Sequence, residues 1–206
     1  MTEYHKIETL YERDPVTFRV QPRRLKNRAY GLLKRWRWTE KIDGTNIRCC
    51  WDGARVRFGG KTEQTQIHAD LFMWLSEHVQ AEALAAIFPG TDAVIYGEGY
   101  GAGIQKGGAY SATKKLIVFD VLVAGKWWLS FENTSDVATK LGLDHVPYYG
   151  EMTLDRATEM VRAGFDSSLG DPAHRPRAEG LVGRPEETLF DKKGARLICK
   201  LKTKDF

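Results

Sequence analysis

Short apolar runs bounded by turn residues constrain the fold of this 206-residue chain more than any other feature. Residues 93–100 (AVIYGEGY) and 115–123 (KLIVFDVLV) have the length and the β-branched content of buried strands. Residues 46–60 (NIRCCWDGARVRFGG) place an Asp-Gly turn between two such runs, which predicts a β-hairpin. Two later runs predict further strands, at residues 179–184 and 196–202. The core is therefore expected to consist mainly of short, hairpin-connected strands.

Helical patterns separate these strands. Residues 68–88 carry apolar side chains at helical spacing up to a Pro-Gly pair, which predicts one helix over that range. Residues 135–142 and 154–164 predict two more helices, each ended by glycine, and residues 166–177 predict a polar loop. The alternation indicates an α+β fold without internal repeats. A single domain over residues 1–206 is expected.

Composition narrows the class of protein. Apolar residues make up 42% and charged residues 28% of the chain, which is typical of a globular protein. No window approaches the roughly 18 uninterrupted apolar residues of a membrane span, and residues 1–14 do not resemble a signal peptide. We therefore expect a cytoplasmic protein that does not bind membranes.

The three cysteines, Cys49, Cys50 and Cys199, form no C-x-x-C spacing, and the five histidines are scattered. Neither a disulfide framework nor a zinc site is supported by such spacing. Reduced thiols in partly buried strands are expected.

Charged residues stand at the ends or centres of the predicted strands. Lys41 directly precedes the turn in TEKIDGTNIR, and a single lysine of this kind is more often a solvated surface charge than a functional group. Four other predicted strands carry isolated charges, at Glu98, Asp120, Glu179 and the pair Lys200 and Lys202. A charge in an apolar strand is costly unless it is paired or bound by a ligand. Because Lys200 and Lys202 are two positions apart, they project from one face, which favours a polar pocket lined by a sheet.

A basic segment at residues 15–38 lies between Asp14 and Glu40 and contains no acidic residue. Its cations are Arg19, Arg23, Arg24, Lys26, Arg28, Lys34, Arg35 and Arg37. Tyr30, Trp36 and Trp38 are interleaved with them, a mixture that suits a phosphate backbone and stacked bases. A solvated basic face is the alternative, and the segment alone does not decide between them.

Five segments in a fixed order resemble motifs of the covalent nucleotidyltransferases, the superfamily of polynucleotide ligases and mRNA capping enzymes. They are K-x-D-G at residues 41–44, YGEGYGAGIQKG at 96–107, VFDV at 118–121, EGLV at 179–182 and KLK at 200–202. The second segment is most similar to the phage RNA ligases typified by the second RNA ligase of bacteriophage T4. The resemblance extends from Thr39 to Lys202. K-x-D-G alone is weak evidence for the resemblance, whereas five motifs in the right order argue against a chance match.

The resemblance implies an α+β nucleotidyltransferase domain, similar to ATP-grasp ligases, whose antiparallel sheets enclose a nucleotide pocket. It implies an ATP-dependent RNA ligase that joins 5′-phosphate and 3′-hydroxyl ends, as in nucleic acid repair. Such an enzyme takes AMP onto a lysine, passes it to the 5′-phosphate, and releases it when the 3′-hydroxyl attacks. ATP and Mg²⁺ or Mn²⁺ are the implied cofactors.

The matching positions imply roles for individual residues. The catalytic residues would be Lys41 as nucleophile, with Lys200 and Lys202 neutralising phosphate charge. Glu98 would accept hydrogen bonds from the ribose, and Phe119 would stack on the adenine. The full nucleotide-binding set would be Glu40, Asp43, Gly44, Asn46, Lys61, Glu98 and Phe119. Glu179 and Asp120 would hold the divalent cation. Related ligases often have an arginine where Lys61 stands, and a lysine cannot replace its bidentate contact.

Other functions remain open at this point. The glycine-rich segment at residues 99–108 matches neither a P-loop nor a Rossmann fingerprint. A minimal DNA ligase, a GTP-dependent capping-type enzyme and a non-catalytic nucleic-acid-binding module are the remaining alternatives. The module would leave the charges in apolar strands unexplained.

The expected partner is RNA or a nicked duplex, and a monomer is expected. Only TKDF follows the last lysine motif, so no C-terminal OB domain of the kind found in larger ligases is expected. Substrate binding would then fall to the catalytic domain, with the basic segment as the first candidate.

Overall fold

A computed structural model describes residues 2–206; Met1 and the side chain of Arg23 lie outside this description. The strands of the described chain are, in order, β1 (Glu8–Thr9), β2 (Tyr11–Arg13), β3 (Val20–Leu25), β4 (Trp36–Lys41), β5 (Thr45–Trp51), β6 (Val56–Gly59), β7 (Ala93–Tyr100), β8 (Lys115–Val123), β9 (Trp127–Trp128), β10 (Asp144–His145), β11 (Tyr148–Met152), β12 (Gly180–Arg184) and β13 (Cys199–Lys202). The α-helices are α1 (Ala69–His78), α2 (Ala81–Ile87), α3 (Phe131–Lys140) and α4 (Leu154–Ala163). Short 3₁₀ helices cover Arg28–Leu32, Gly107–Ala109 and Thr203–Asp205. The predicted α+β class is confirmed.

The described chain divides into two compact units, each assembled from separate stretches of sequence. The first unit contains residues 2–5 and 43–146, and the second contains residues 6–42 and 147–206. A single-domain organisation stays a prediction. Within residues 2–206, no helix combines the length and apolarity needed to cross a membrane.

The first unit is built on a sheet of strand order β10-β8-β7-β5-β6, with β9 paired to β8. All its pairs are antiparallel except β10 with β8. One face of this sheet packs against α1, α2 and α3 through a core that includes Ile47, Ile95, Val118, Val121 and Leu71. The predicted hairpin at residues 46–60 and the predicted strands at 93–100 and 115–123 are confirmed.

The helix predicted over residues 68–88 is wrong in one respect, because it is two helices, α1 and α2. The break falls at Val79, whose side chain is buried in the core, and at Gln80, which has an extended backbone. The Gln80 side chain donates to the carbonyls of Ser76 and Glu77 at 2.6 and 2.9 Å. It thereby satisfies two carbonyls that the end of a helix leaves unpaired.

The second unit is built on a five-stranded sheet of order β1-β13-β12-β4-β11. Its pairs are antiparallel except β1 with β13. Helix α4 packs on β12 and β13, and the core includes Leu10, Trp36, Trp38, Leu181 and Leu201. Strands β2 and β3 form a separate hairpin. The predicted late strands and the predicted polar loop at residues 166–177 agree with this structure.

The aromatic residues of the basic segment do not have the role that the sequence suggested. Trp36 and Trp38 are fully buried and Tyr30 is 3% exposed, so none of them is available for base stacking. The reason is the period of β4, because alternate residues of a strand face opposite sides of its sheet. Residues 36, 38 and 40 face the core, whereas Arg37 and Lys41 on the other face are only partly buried.

The three cysteines are free and buried within β5 and β13, more deeply than the sequence suggested. Burial raises the pKa of all three thiols. Buried thiols of this kind are poor nucleophiles, so they act as small core residues.

Candidate active site

A carboxylate shared by two lysines lies at one end of the central strand in the second unit's sheet. The Nζ of Lys41 donates to Oε2 of Glu179 at 2.6 Å, and the Nζ of Lys202 lies 2.7 Å from Oε1. The three side chains are 14–21% exposed, so the cluster is largely shielded but still reachable. The structure thus brings together the predicted nucleophile, a predicted metal ligand and a predicted phosphate-binding lysine.

Strand register explains this convergence. Glu179 precedes β12, which lies between β4 and β13 in the sheet. Gly180 is the register partner of both Lys41 and Lys202. A Cβ on Gly180 would lie 1.9 Å from the carbonyl oxygen of Leu201, so only glycine permits this approach of β12 to β13. The lysines on either side therefore reach the same glutamate.

The charges of the cluster alter its protonation. Burial alone would raise the pKa of Glu179, but Lys41 and Lys202 together hold it below the ordinary value. Lys200 lies two residues before Lys202, on the same face of β13. Burial, reinforced by the charges of Lys202 and Lys41, lowers the pKa of Lys200 to about 8. The three lysines outnumber the two carboxylates that act on Lys200, Glu8 and Glu179, so positive charge is in excess, as a phosphate site requires.

Glu40 faces away from this cluster. Its carboxylate is 2% exposed and accepts hydrogen bonds from the Ser167 hydroxyl, from the Ser168 amide at 2.9 Å and from the Tyr149 hydroxyl at 3.2 Å. Burial raises the pKa of Glu40, although these bonds and the charge of Arg175 oppose the shift. Nucleotide binding by Glu40 stays a prediction, and in this structure protein donors occupy its carboxylate.

In the first unit, three other predicted residues meet across neighbouring strands. Asn46 on β5 is the register partner of Glu98 on β7. Gly44 lies in the bend before β5, where an added Cβ would be 2.3 Å from the Gly99 carbonyl oxygen and 2.9 Å from Cγ of Glu98. The lack of a side chain at position 44 therefore lets Gly44 lie against the strand that carries Glu98.

A β-bulge directs Phe119 and Asp120 to the same side of the first unit's sheet. Tyr96 pairs with Asp120, whereas Gly97 pairs with Val118, which leaves Phe119 as the extra residue. Val118 and Val121 both pack in the core, so the two residues between them face away from it. Bulges of this kind re-aim side chains and occur often beside active sites. No local pattern in the sequence marks this bulge.

Tyr4 contacts both bulged residues. Its ring lies edge-on to Phe119 with centroids 5.0 Å apart, and its hydroxyl donates to Oδ2 of Asp120 at 2.7 Å. Asp120 is fully buried, whereas Phe119 is partly exposed. Metal binding by Asp120 and adenine stacking by Phe119 stay predictions.

The remaining predicted residues are less enclosed. Asp43 is partly exposed in the bend before β5, and Lys61 is exposed just after β6. The structure places neither of them in the lysine cluster's unit. Their roles in nucleotide binding stay predictions.

Sequence reasoning missed Tyr4, Tyr149 and Ser167. Ser167 is fully buried inside a segment that reads as a polar loop, and Tyr149 follows the exposed Tyr148. Their partners are more than 100 residues away along the chain, so no local pattern marks them.

The lysine cluster offers a divalent cation a single carboxylate, that of Glu179. Among residues 2–206, no three His, Cys, Asp or Glu side chains converge as a metal cage. Mg²⁺ and Mn²⁺ at phosphoryl-transfer sites use one or two carboxylates with substrate phosphates and water. Glu179, a partly accessible carboxylate in a phosphate-attracting cluster, fits that donor set.

Solved structures share this fold. A variant of the Naegleria gruberi RNA ligase with ATP and Mn matches with a TM-score of 0.67 and 15% identity, over 96% of this chain and 59% of that chain. A second variant with ATP and Mn matches with a TM-score of 0.64 and 16% identity, over 84% of this chain and 52% of that chain. This chain thus spans little more than half the length of those ligases. At such identities the likeness concerns the fold.

The comparison with family models is more specific. No curated protein matches the sequence. The model described as RNA ligase matches residues 34–202, which include the lysine cluster and the bulged strand. Because this match covers most of the sequence, the chain belongs to the RNA ligase family.

Proposed function

We propose that this chain is an ATP-dependent RNA ligase that joins 5′-phosphate and 3′-hydroxyl ends through a lysyl-AMP intermediate. The observation that carries the proposal is the placement of Lys41 and Lys202 on the two oxygens of Glu179. Family membership and the ATP-containing structures of similar fold support it.

In the first step, the Lys41 amine attacks the α-phosphorus of ATP. A P–N bond forms, the bridging P–O bond to the β-phosphate breaks, pyrophosphate leaves and the amine loses a proton. Glu179 lies within hydrogen-bond distance of that amine and orients it. Lys200 and Lys202 stabilise the charge that builds on the phosphate oxygens.

Two further transfers complete the reaction. The 5′-phosphate of RNA attacks the lysyl-bound phosphorus, so that a P–O bond replaces the P–N bond. The 3′-hydroxyl then attacks the 5′-phosphorus, loses its proton and releases AMP. From the resemblance, we assign the ribose to Glu98 and the adenine to Phe119, with Asn46, Gly44, Asp43 and Lys61 as further nucleotide contacts.

Glu179 would hold Mg²⁺ or Mn²⁺ together with the ATP phosphates. The bound cation would supply charge neutralisation at the phosphate and disfavour a protonated neighbouring amine. Glu179 would exchange part of its lysine contacts for that cation, which releases Lys41 from its ion pair.

Covalent labelling tests this proposal. Incubation with α-labelled ATP and Mg²⁺ should attach label to wild-type protein and to Lys204→Ala, an exposed lysine of the same unit. Lys41→Ala should carry no label while retaining the wild-type circular dichroism spectrum. Label on Lys41→Ala, or no label on wild type, would contradict the proposal.

Joining assays with RNA and DNA ends test which substrate the enzyme prefers. RNA strands with a 5′-phosphate should be joined in preference to all-DNA nicks, and ATP should label better than GTP. A preference for all-DNA nicks would contradict the proposed RNA substrate but would leave the lysyl-AMP mechanism in place. The family match does not favour that DNA-ligase alternative. We retain a monomer in the cytoplasm as the expected state.

A further inference from the structure

The buried carboxylate of Glu40 organises a polar network behind the nucleophile's strand. Ser167 is fully buried, and its Oγ accepts a hydrogen bond from the Leu169 amide at 2.9 Å. A serine hydroxyl has a single proton to donate, and this one is directed at Oε1 of Glu40. The Tyr149 hydroxyl shares its single proton between Oε2 of Glu40 and the Asp166 carbonyl, each 3.2 Å away, and lies 3.0 Å from the Ser168 hydroxyl. Both carboxylate oxygens are therefore held.

The same network fixes the start of the loop at residues 166–177. The Ser167 amide donates to the Pro176 carbonyl at 2.8 Å, and the Ala178 amide donates to the Phe165 carbonyl at 3.0 Å. Asp166 and Arg177 form both a β-bridge and a 3.0 Å ion pair. The two ends of the loop are thus closed on each other.

This loop leads directly into the lysine cluster. Residue 179 is the second residue after the loop, and its carbonyl accepts from the Thr203 amide at 2.9 Å. Glu40 precedes Lys41 on β4. The Glu40 carboxylate therefore contacts the segment that leads to Glu179, while the adjacent Lys41 contacts Glu179 itself. A shift of either segment would change the contact between Lys41 and Glu179.

We propose that Ser167 and Tyr149 are positioning residues for adenylylation, which act through Glu40 to align Lys41 with Glu179. The inference rests on the proposed function, because it assigns no chemistry of its own. Among the described side chains, no cation lies within ion-pair distance of Glu40, although the charge of Arg175 acts on it. A buried carboxylate of this kind is an expensive way to gain stability, since apolar packing of similar volume would serve at least as well. Its three converging donors instead fix the loop and the strand in one arrangement. Phosphoryl transfer is sensitive to misplacement of reacting groups by about 1 Å.

Single-turnover adenylylation tests the inference. Ser167→Ala and Tyr149→Phe should each lower the rate constant at saturating ATP about tenfold, with little change in the ATP concentration for half-maximal rate. Thr153→Ala is the matched control, because it removes the N-cap hydrogen bond of α4 in the same unit. It should destabilise the protein without lowering the rate well below the melting temperature.

A double-mutant cycle identifies the route. If Ser167 acts through Glu40, then Ser167→Ala should lower the rate much less in a Glu40→Gln background than in wild type. Equal losses in both backgrounds, or a Ser167→Ala rate equal to that of Thr153→Ala, would overturn the inference. If Ser167→Ala does not fold, Tyr149→Phe decides by the same criteria. Wild-type protein without label would contradict the proposed function instead, so the two failures are distinguishable.

Discussion

The Nζ of Lys41 lies 2.6 Å from Oε2 of Glu179, at the junction of two neighbouring strands of one sheet. The contact keeps the amine at the accessible end of β4 and gives it an acceptor. It also leaves the carboxylate dependent on lysines for its low pKa. Reactivity and stability are therefore linked through the same carboxylate.

Glu179→Gln should lower adenylylation at least about a hundredfold and lower the free energy of unfolding at pH 7 by about 1–2 kcal/mol. The pKa of Glu179 is lower in the folded protein, so its stabilisation is complete above the unfolded-state pKa. That stabilisation is lost as the pH falls through the folded-state pKa. The difference in unfolding free energy between wild type and variant should therefore shrink in acid.

Urea unfolding between pH 3 and 7 measures this difference. Glu186→Gln is the control, since Glu186 follows the same strand and its own side chain, which pairs with Arg37, is exposed. Surface pairs of this kind contribute little. Identical pH profiles for wild type and Glu179→Gln would show that the shared carboxylate does not stabilise the fold.

Lys200 should make ATP binding sensitive to mildly alkaline pH. Burial and the neighbouring lysines lower its pKa to about 8, so it is charged below that pH and neutral above it. Because the charged form attracts phosphates, affinity for a non-hydrolysable ATP analogue should fall about tenfold between pH 7 and 9.

Two variants separate Lys200 from other titrating groups. Lys200→Arg stays charged over the whole range and should flatten the decline, whereas Lys200→Met should bind weakly at all pH values. Titration calorimetry gives the affinities. Parallel curves for wild type and Lys200→Met would exclude Lys200 as the source of the pH dependence.

Gly180→Ala should destabilise the second unit by about 3 kcal/mol or more, because the new Cβ would collide with the Leu201 carbonyl oxygen. Gly194 is a suitable comparison: its φ is +76° but no atom lies within 4 Å of an added Cβ. Gly194→Ala should therefore cost only about 1 kcal/mol. Thermal and urea unfolding of both variants measure the difference, and equal losses would contradict the role assigned to the β12–β13 approach.

Local sequence patterns were sufficient to predict the strands and turns, but not which strands pair or in which register. The hairpin around Asp52-Gly53 and the buried run at residues 115–123 follow from turn chemistry and β-branched content. The bulge at Phe119 leaves no such signal, because it lies in an uninterrupted apolar run. The motif order predicted Lys41, Glu179 and Lys202 as site residues, and their roles stay predictions. The contact that they share depends on a register that only the folded sheet defines.

The misjudged aromatics show how a correct signal can be read wrongly. WRWTEK at residues 36–41 has the period of a strand with one buried face. Composition suggested base stacking, whereas the alternation indicates that Trp36 and Trp38 belong to a core, as they do. The contact between Ser167 and Glu40 spans 127 residues, so it could not have been predicted from local sequence.

The last prediction concerns the basic segment, whose cations remain candidates for RNA binding although its aromatics are buried. Arg24 pairs with Glu12, and Arg35 with Glu151. Among the described side chains, Arg19, Lys26 and Arg28 are exposed and have no acidic partner within ion-pair distance. Replacing these three with alanine should weaken RNA joining and leave labelling of Lys41 intact, because labelling needs only ATP.

Salt dependence measures whether the cations bind phosphate. Each phosphate contact to a single strand contributes about 0.7 to the slope of log affinity against log salt, so the triple variant should lose up to about 2. Arg24→Ala is the control, because its charge is already paired with Glu12. Equal loss of labelling and joining would mean that the segment supports the nucleotide site. An unchanged slope would mean that these cations form a solvated face, and RNA binding must then involve other residues.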